Sequence, residues 1–290
     1  MQKVVAVNAL FLEHEISELR LILERNLGVV VDVPREALAR ATAELMESRG
    51  IGVAATLLEQ LRDWDAGCEI LAESLLDGET GFFRHSAAFE AVTAVIGASL
   101  SDRKSTEQSD QPRSIRIWSA GCSTGEEAYS IAISVCEAVN CNAGPWKLHI
   151  VASDIRRLAL ETARRGLYPK SALRDVAPHL VASYFARLGE HLLAKPRLRH
   201  LVTFGFMNLA KPDFIGQFDC IFCMDVLPHF SARQRAALVQ RLHLYLHPGG
   251  YLFLGQDEKL PAAEAAFESQ TEGNYTVYRK AMAAGVRAGA

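Results

Sequence analysis

The segment Ser119-Ala120-Gly121-Cys122-Ser123-Thr124-Gly125-Glu126-Glu127 ends an apolar run and opens a helical one, where a backbone turn can cradle a ligand. Gly121 and Gly125 permit a tight turn with close backbone approach, and Ser123 or Thr124 can cap a helix whose first turn carries the two glutamates. The spacing is not G-x-G-x-x-G, and no G-K-[ST] follows, so neither a dinucleotide fingerprint nor a phosphate loop is present. Two carboxylates at a helix start also disfavour phosphate; a ligand with hydroxyls and an amine suits the turn better, although both acids can serve simply as dipole partners.

Three further strand ends carry polar groups. Asp154, after LHIVAS, is placed to accept hydrogen bonds from the two hydroxyls of a ribose, or to cap the next helix. Asn208 and Leu209 pair an amide with an apolar side chain, able to read and cover an adenine ring. Met224-Asp225 ends the fourth run, with Pro228-His229-Phe230 beyond it; His229 reads as a structural residue or as a hydrogen-bonding group of the site. Cys220 and Cys223 have C-x-x-C spacing, but no second pair exists. A spacing of three along a strand sends the two thiols to opposite faces, which favours buried thiols over a zinc or redox centre.

These groups need a scaffold of strand ends. IRIWSAG, LHIVASD, LVTFGFMN, FDCIFCMD and GYLFLGQ are short apolar runs, and helical patterns such as TGEEAYSIAISVCEAVN and ARQRAALVQRLHLYLH lie between them. Alternation of this kind predicts a parallel sheet covered on both faces, and the tail FESQTEGNYTVYRK adds an antiparallel edge hairpin. Residues 14–76 are helical by period, punctuated by Gly28, Gly50 and Gly52. One more amphipathic helix follows LLDGETGFFRHS, and SLSDRKSTEQSDQPRS, lacking periodicity, reads as an exposed connection. The expected fold class is α/β: a small N-terminal all-helical domain at 1–78, a segment with helix and linker at 79–113, and a doubly wound domain at 114–290.

The 31 basic and 34 acidic residues nearly cancel, which argues against a nucleic-acid binder. Residues 1–100 hold 8 basic and 16 acidic side chains, a net of −8, whereas the remainder is at +5. No long apolar run and no secretory start are visible, so a cytoplasmic, monomeric protein without membrane insertion is expected, its six cysteines reduced.

TGFFRHSAAF (80–89), WSAGCSTGEEAYSIAI (118–133), ASDI (152–155), Gly166 with Tyr168, NL (208–209), FDCIFCMDVLPHF (218–230), LHPGGYLFLGQDEKL (246–260) and YTVYRK (275–280) occur in an order that resembles the CheR-type chemotaxis receptor methyltransferases. The resemblance implies a Rossmann-like methyltransferase domain that moves a methyl group from S-adenosylmethionine, leaving S-adenosylhomocysteine, to glutamates of a chemoreceptor. It implies that Thr80 and Arg84 touch the methionine end, Glu127 its amino or hydroxyl groups, Asp154 the ribose, and Asn208 and Leu209 the adenine. Gly121, Met224 and Asp225 would complete the cofactor site, with Arg84 and His229 on the catalytic side. The family's Arg-Asn pair is here Met224-Asp225, and its Tyr is His229. A small β-subdomain that docks on the receptor is implied around ARLGEHLLAKPRLRH, with Lys195, Arg197 and Arg199 either partner contacts or solvated surface.

The implied transfer is an in-line displacement. A glutamate of pKa near ~4.3 is already ionised at neutral pH, so no general base is needed. Catalysis rests on holding the carboxylate about 3–3.5 Å from the methyl carbon with water excluded. Arg84 is the group expected to fix a carboxylate. The helix stretch ALARATAELMESRG carries Glu44 and Glu47 against Arg40 and Arg49, so long-range attraction to an acidic receptor helix is weakened or reversed. The departures keep a rival open, a CheR-like module that binds S-adenosylmethionine or S-adenosylhomocysteine and serves as an interaction partner. A dinucleotide-dependent oxidoreductase lacks its fingerprint.

Overall fold

The computed structural model describes residues 11–76, 80–104, 113–139, 141, 146–211, 213, 215–260 and 266–282. Among the described residues four helices come first: α1 (Glu13–Leu27), α2 (Arg35–Arg49), α3 (Ala54–Leu61) and α4 (Asp65–Leu75). In α1 the buried residues Ile16, Leu19, Ile22, Leu23 and Leu27 recur at helical spacing. Gly28 ends that helix at φ 72°, its N–H donating to Glu24 O at 2.8 Å.

Helix α5 (Ser86–Lys104) leads to β1 (Arg113–Ala120), α6 (Glu126–Val139), β2 (Trp146–Asp154) and α7 (Arg157–Arg165). The expected connection beginning at Ser99 is corrected: Ser99 to Lys104 continue α5, because a polar last turn adds nothing to the apolar face that periodicity detects. The rest of that connection, 105–112, lies outside the described residues, as do 77–79 beside the first expected domain boundary. Next come β3 (Leu167–Pro169), α8 (Pro178–Tyr184), β4 (Phe185–Leu188), β5 (His191–Ala194), α9 (Pro196–Arg199) and β6 (Val202–Phe206). The chain ends with β7 (Phe218–Cys223), α10 (Ala232–Tyr245), β8 (Leu246–Leu254), β9 (Phe267–Glu272) and β10 (Tyr275–Lys280).

The main sheet runs β6-β2-β1-β7-β8-β10-β9, with β10 antiparallel to both β8 and β9. The other neighbours are parallel. Strand order reverses between β1 and β7, which opens a crevice beyond their carboxyl ends. Strands β3, β5 and β4 form a separate small sheet at the place where a β-subdomain is implied. There Lys195 Nζ donates to Ala182 O at 2.6 Å and Arg197 Nη2 to Ser183 O, so both satisfy the last carbonyls of α8.

One face of the sheet packs on α5, α6 and the small sheet, and the other on α10 and the four N-terminal helices. Cys220 belongs to the first core and Cys223 to the second, as their spacing requires. Across the seam to the N-terminal helices, Lys211 pairs with Asp65 at 3.1 Å and Arg157 with Glu69 at 3.2 Å. Glu73 accepts the Ala159 N–H at 3.1 Å, in the first turn of α7. These three acids of the acidic front therefore face residues of α7 and of the segment after β6, while Arg40, Glu44, Glu47 and Arg49 are exposed on α2. Among the described residues no helix is long and apolar enough to cross a membrane.

Candidate active site

A cavity open to solvent occupies the crevice beyond the carboxyl ends of β1, β2, β6 and β7. Thr80, Arg84, Gly121, Glu127, Asp154, Asn208, Leu209, Met224, Asp225 and His229 all line it. So do Ser123 and Phe230, and also Val29, His85, Ile155 and Arg156, to which the sequence assigns no role.

The glycine loop forms one wall. Gly121 has φ 89° and its N–H donates to Ser153 O at 2.8 Å, and a Cβ there would meet Val226 at 2.5 Å. Ser123 and Thr124 are engaged otherwise than as helix caps. Ser123 Oγ accepts from Arg156, and Thr124 Oγ1 donates to Glu126 Oε2 at 2.6 Å. Glu126 is buried and also takes the Thr80 hydroxyl. Glu127 accepts from Ser119 Oγ at 2.7 Å. Burial, with Asp225, Glu258 and Asp154 around it, pushes the Glu127 carboxyl up to about 8.

Asp154 is 7% exposed. Its Oδ2 accepts the Ser123 N–H at 2.8 Å and its Oδ1 the Arg156 N–H at 2.9 Å. A carboxylate has about four acceptor sites, so two protein bonds leave capacity for two hydroxyls. The loop-anchoring and ligand-binding readings of this residue are thus compatible.

The strap Thr80–His85 crosses the opposite side. Phe83 N–H donates to Ser130 Oγ at 3.0 Å, and the Phe82 ring meets Tyr168 edge-on with centroids 4.9 Å apart. Tyr168 in turn donates its hydroxyl to Thr124 O at 2.7 Å. At the far end Arg84 Nη1 stands 3.8 Å and His85 Nε2 2.8 Å from Asp225 Oδ2. Asp225 has φ 59°, a left-handed conformation that Glu258 maintains by accepting N–H bonds from Asp225 and Leu227 at 2.9 Å each, and from Gly255. Met224 is buried beside the Tyr275 hydroxyl, 3.8 Å from its sulfur.

Asn208 Oδ1 accepts the Ala210 N–H at 2.8 Å, which turns the NH₂ to donate elsewhere. Leu209 lies beside it on the wall, its carbonyl held by Arg241. His229 stands two residues before Ser231, the N-cap of α10. Desolvation, followed by the charge of Arg156, lowers its imidazole pKa from the ordinary value, and Asp154 and Asp225 oppose this.

The family model "CheR methyltransferase, SAM binding domain" matches residues 78–276. The chain belongs to the CheR family. It is 33% identical to chemotaxis protein methyltransferase 1 of Pseudomonas aeruginosa, over 83% of this chain and 88% of that protein. With the chemotaxis protein methyltransferase of Escherichia coli K12 the identity is 31%, over 86% and 85% respectively. Methyltransferase 2 of P. aeruginosa is 35% identical over 73% of each chain. This CheR-family protein is a methyltransferase, and S-adenosylmethionine is its cofactor.

The residues present fit that cofactor. Half-buried Glu127 lines the cavity with Asp154 and Asp225, an acidic wall that suits a ligand carrying a sulfonium and an ammonium. Arg156, His85 and Glu258 escape sequence reading because each acts on a residue distant in the chain or lies in a run of similar side chains. A signal for Glu258 was present in its place within LHPGGYLFLGQDEKL.

Proposed function

We propose that this methyltransferase transfers the methyl group to glutamate carboxylates of a chemoreceptor-like signalling protein. The observation that carries this reading is a carboxylate position at the cavity wall: Arg84 and His85 converge on one oxygen of Asp225. An acceptor glutamate brings the same group, and the guanidinium fork suits it. That the relatives are chemotaxis methyltransferases supports the same acceptor.

S-adenosylmethionine supplies an activated methyl group on its sulfonium. In this reading Glu127 and Thr80 hold the amino-acid end, Gly121 and the loop backbone give it close approach, and Asp154 accepts from the ribose hydroxyls. Asn208 donates to the adenine, Leu209 covers it, and Met224 and Asp225 close the wall. Arg84 orients the acceptor carboxylate, which is ionised at neutral pH and needs no base. His229, kept neutral, supplies a hydrogen bond on the acceptor side. Division at 1–78, 79–113 and 114–290 belongs to the same reading.

The deciding experiment incubates the protein with tritium-methyl S-adenosylmethionine and purified receptor cytoplasmic fragments. Base-labile label on the receptor is the expected result; cofactor binding with no such label on any candidate receptor would favour the interaction module. Asp154→Ala and Glu127→Ala should each weaken cofactor binding markedly, and His229→Ala should lower turnover more than binding. Equal loss of binding in the last contradicts its place on the acceptor side.

A further inference from the structure

Arg156 follows β2 and is one of four arginines, with 157, 164 and 165, in or beside α7. Its side chain turns inward and is 11% exposed. Nη2 donates to Ser123 Oγ at 2.6 Å, and Nε lies 3.6 Å from Asp154 Oδ1. Asp154 Oδ2 holds the Ser123 N–H, so the three residues close a ring of contacts between the glycine loop and the end of β2. Ser123 has φ 49°, a left-handed conformation that a non-glycine residue keeps only when its surroundings impose it. Its N–H and its Oγ both take part in that ring.

We propose that Arg156 is a positioning residue for the methyl donor, locking the glycine loop and the Asp154 carboxylate into one unit. The inference rests on Asp154 being the ribose-binding carboxylate. Arginine is suited to this because its planar fork reaches a hydroxyl and a carboxylate at once, whereas a lysine ammonium on a flexible stem serves one of them well. Without the fork, Ser123 is free to leave the left-handed region and Asp154 loses its buried cation. Donor binding must then re-order the loop, and the apparent affinity falls by the fraction of molecules that hold the bound geometry. Once the donor is bound the loop is ordered again, and transfer proceeds at its usual rate.

The test is calorimetric titration of the full chain with S-adenosylhomocysteine, beside steady-state kinetics on a receptor fragment and a thermal melt. Arg156→Met should weaken binding about 10- to 100-fold, the range of a lost charged hydrogen bond. The donor KM should rise by a similar factor while kcat stays within about twofold. Arg156→Lys should recover part of the loss. Full recovery would mean that charge alone suffices and would overturn the bridging role. Binding by Arg156→Met within about twofold of the parent, or an equal fall in kcat, overturns the proposal.

Asp154→Ala separates the two layers. If it binds as the parent does, the ribose assignment has failed and the proposal with it. If it weakens binding while Arg156→Met does not, the proposal alone fails. Should Arg156→Met melt below the assay temperature, Ser123→Ala removes the same Oγ contact and leaves the charge in place. A several-fold loss of affinity in that variant supports the lock, and none overturns it.

Discussion

His85 Nε2 and Asp225 Oδ2 stand 2.8 Å apart and join the strap to the loop after β7, across 140 residues of sequence. The contact places a fixed negative group where the proposed acceptor carboxylate must reach Arg84, whose Nη1 lies 3.8 Å from the same oxygen. Acceptor and Asp225 therefore compete for one cation.

Asp225→Asn removes the competing charge while keeping a residue that tolerates φ 59°. Initial rates on an acidic receptor fragment should give a kcat/KM about 3- to 10-fold higher at low salt, with the gain shrinking as ionic strength rises. A decrease, or a change insensitive to salt, contradicts the competition.

Glu127 links cofactor binding to protons. Its folded-state pKa of about 8 lies above the ordinary 4.5, so the empty folded protein holds this proton through the window between the two values. Stability contributed by the protonated form is complete below 4.5 and is lost as pH rises through about 8. Thermal melts of the cofactor-free protein should show Glu127→Gln losing less stability than the parent between the lower and upper ends of that window. A cationic ligand favours the ionised form, so binding of S-adenosylmethionine at neutral pH should release a proton. Calorimetry in buffers of different ionisation enthalpy measures this.

Glu258 is fixed by three backbone N–H groups. Glu258→Gln offers one oxygen and one NH₂ to the same donors, so at least one N–H is left facing another donor. The expected loss is about 2–4 kcal/mol in urea melts. Hydrogen exchange should quicken at the Asp225 and Leu227 amides, and unchanged exchange there would contradict the role assigned to the carboxylate.

Gly28 and Gly50 form a matched pair. Both have positive φ, 72° and 65°, but a Cβ at Gly28 would lie 2.1 Å from Ala210 Cβ, while at Gly50 it meets open space. Each alanine substitution should cost about 1–2 kcal/mol for the left-handed backbone. Gly28→Ala should cost more, and it alone should weaken S-adenosylhomocysteine binding, since Ala210 adjoins Asn208 and Leu209. Equal melting temperatures for the two variants would refute the contact.

The strands, the glycine loop and Asp154 were legible because each depends on residues adjacent in sequence: an apolar run, then a polar end. Eight of the ten residues marked from the sequence share one cavity because parallel strands bring their carboxyl ends together, and the strap brings in Thr80 and Arg84. Partners brought in from elsewhere were not legible. Asp225 meets His85 across 140 residues, and Arg156 meets Ser123 across 33. The bonds of Lys195 and Arg197 to the last carbonyls of α8 were not legible either, because sequence does not show which carbonyls a helix end leaves open. The charge sum likewise does not show that the acids Asp65, Glu69 and Glu73 contact residues later in the chain.

The loop after α1 carries Val29 into the cavity wall, and the Val30 N–H donates to His229 O at 2.7 Å. The N-terminal helices are thereby a wall of the donor's chamber rather than an appendage to it. Free energy gained by a ligand against Val29 is shared by both units, and such coupling is reciprocal. A ligand packed against Val29 therefore rests on both units at once, and its binding energy depends on the seam between them.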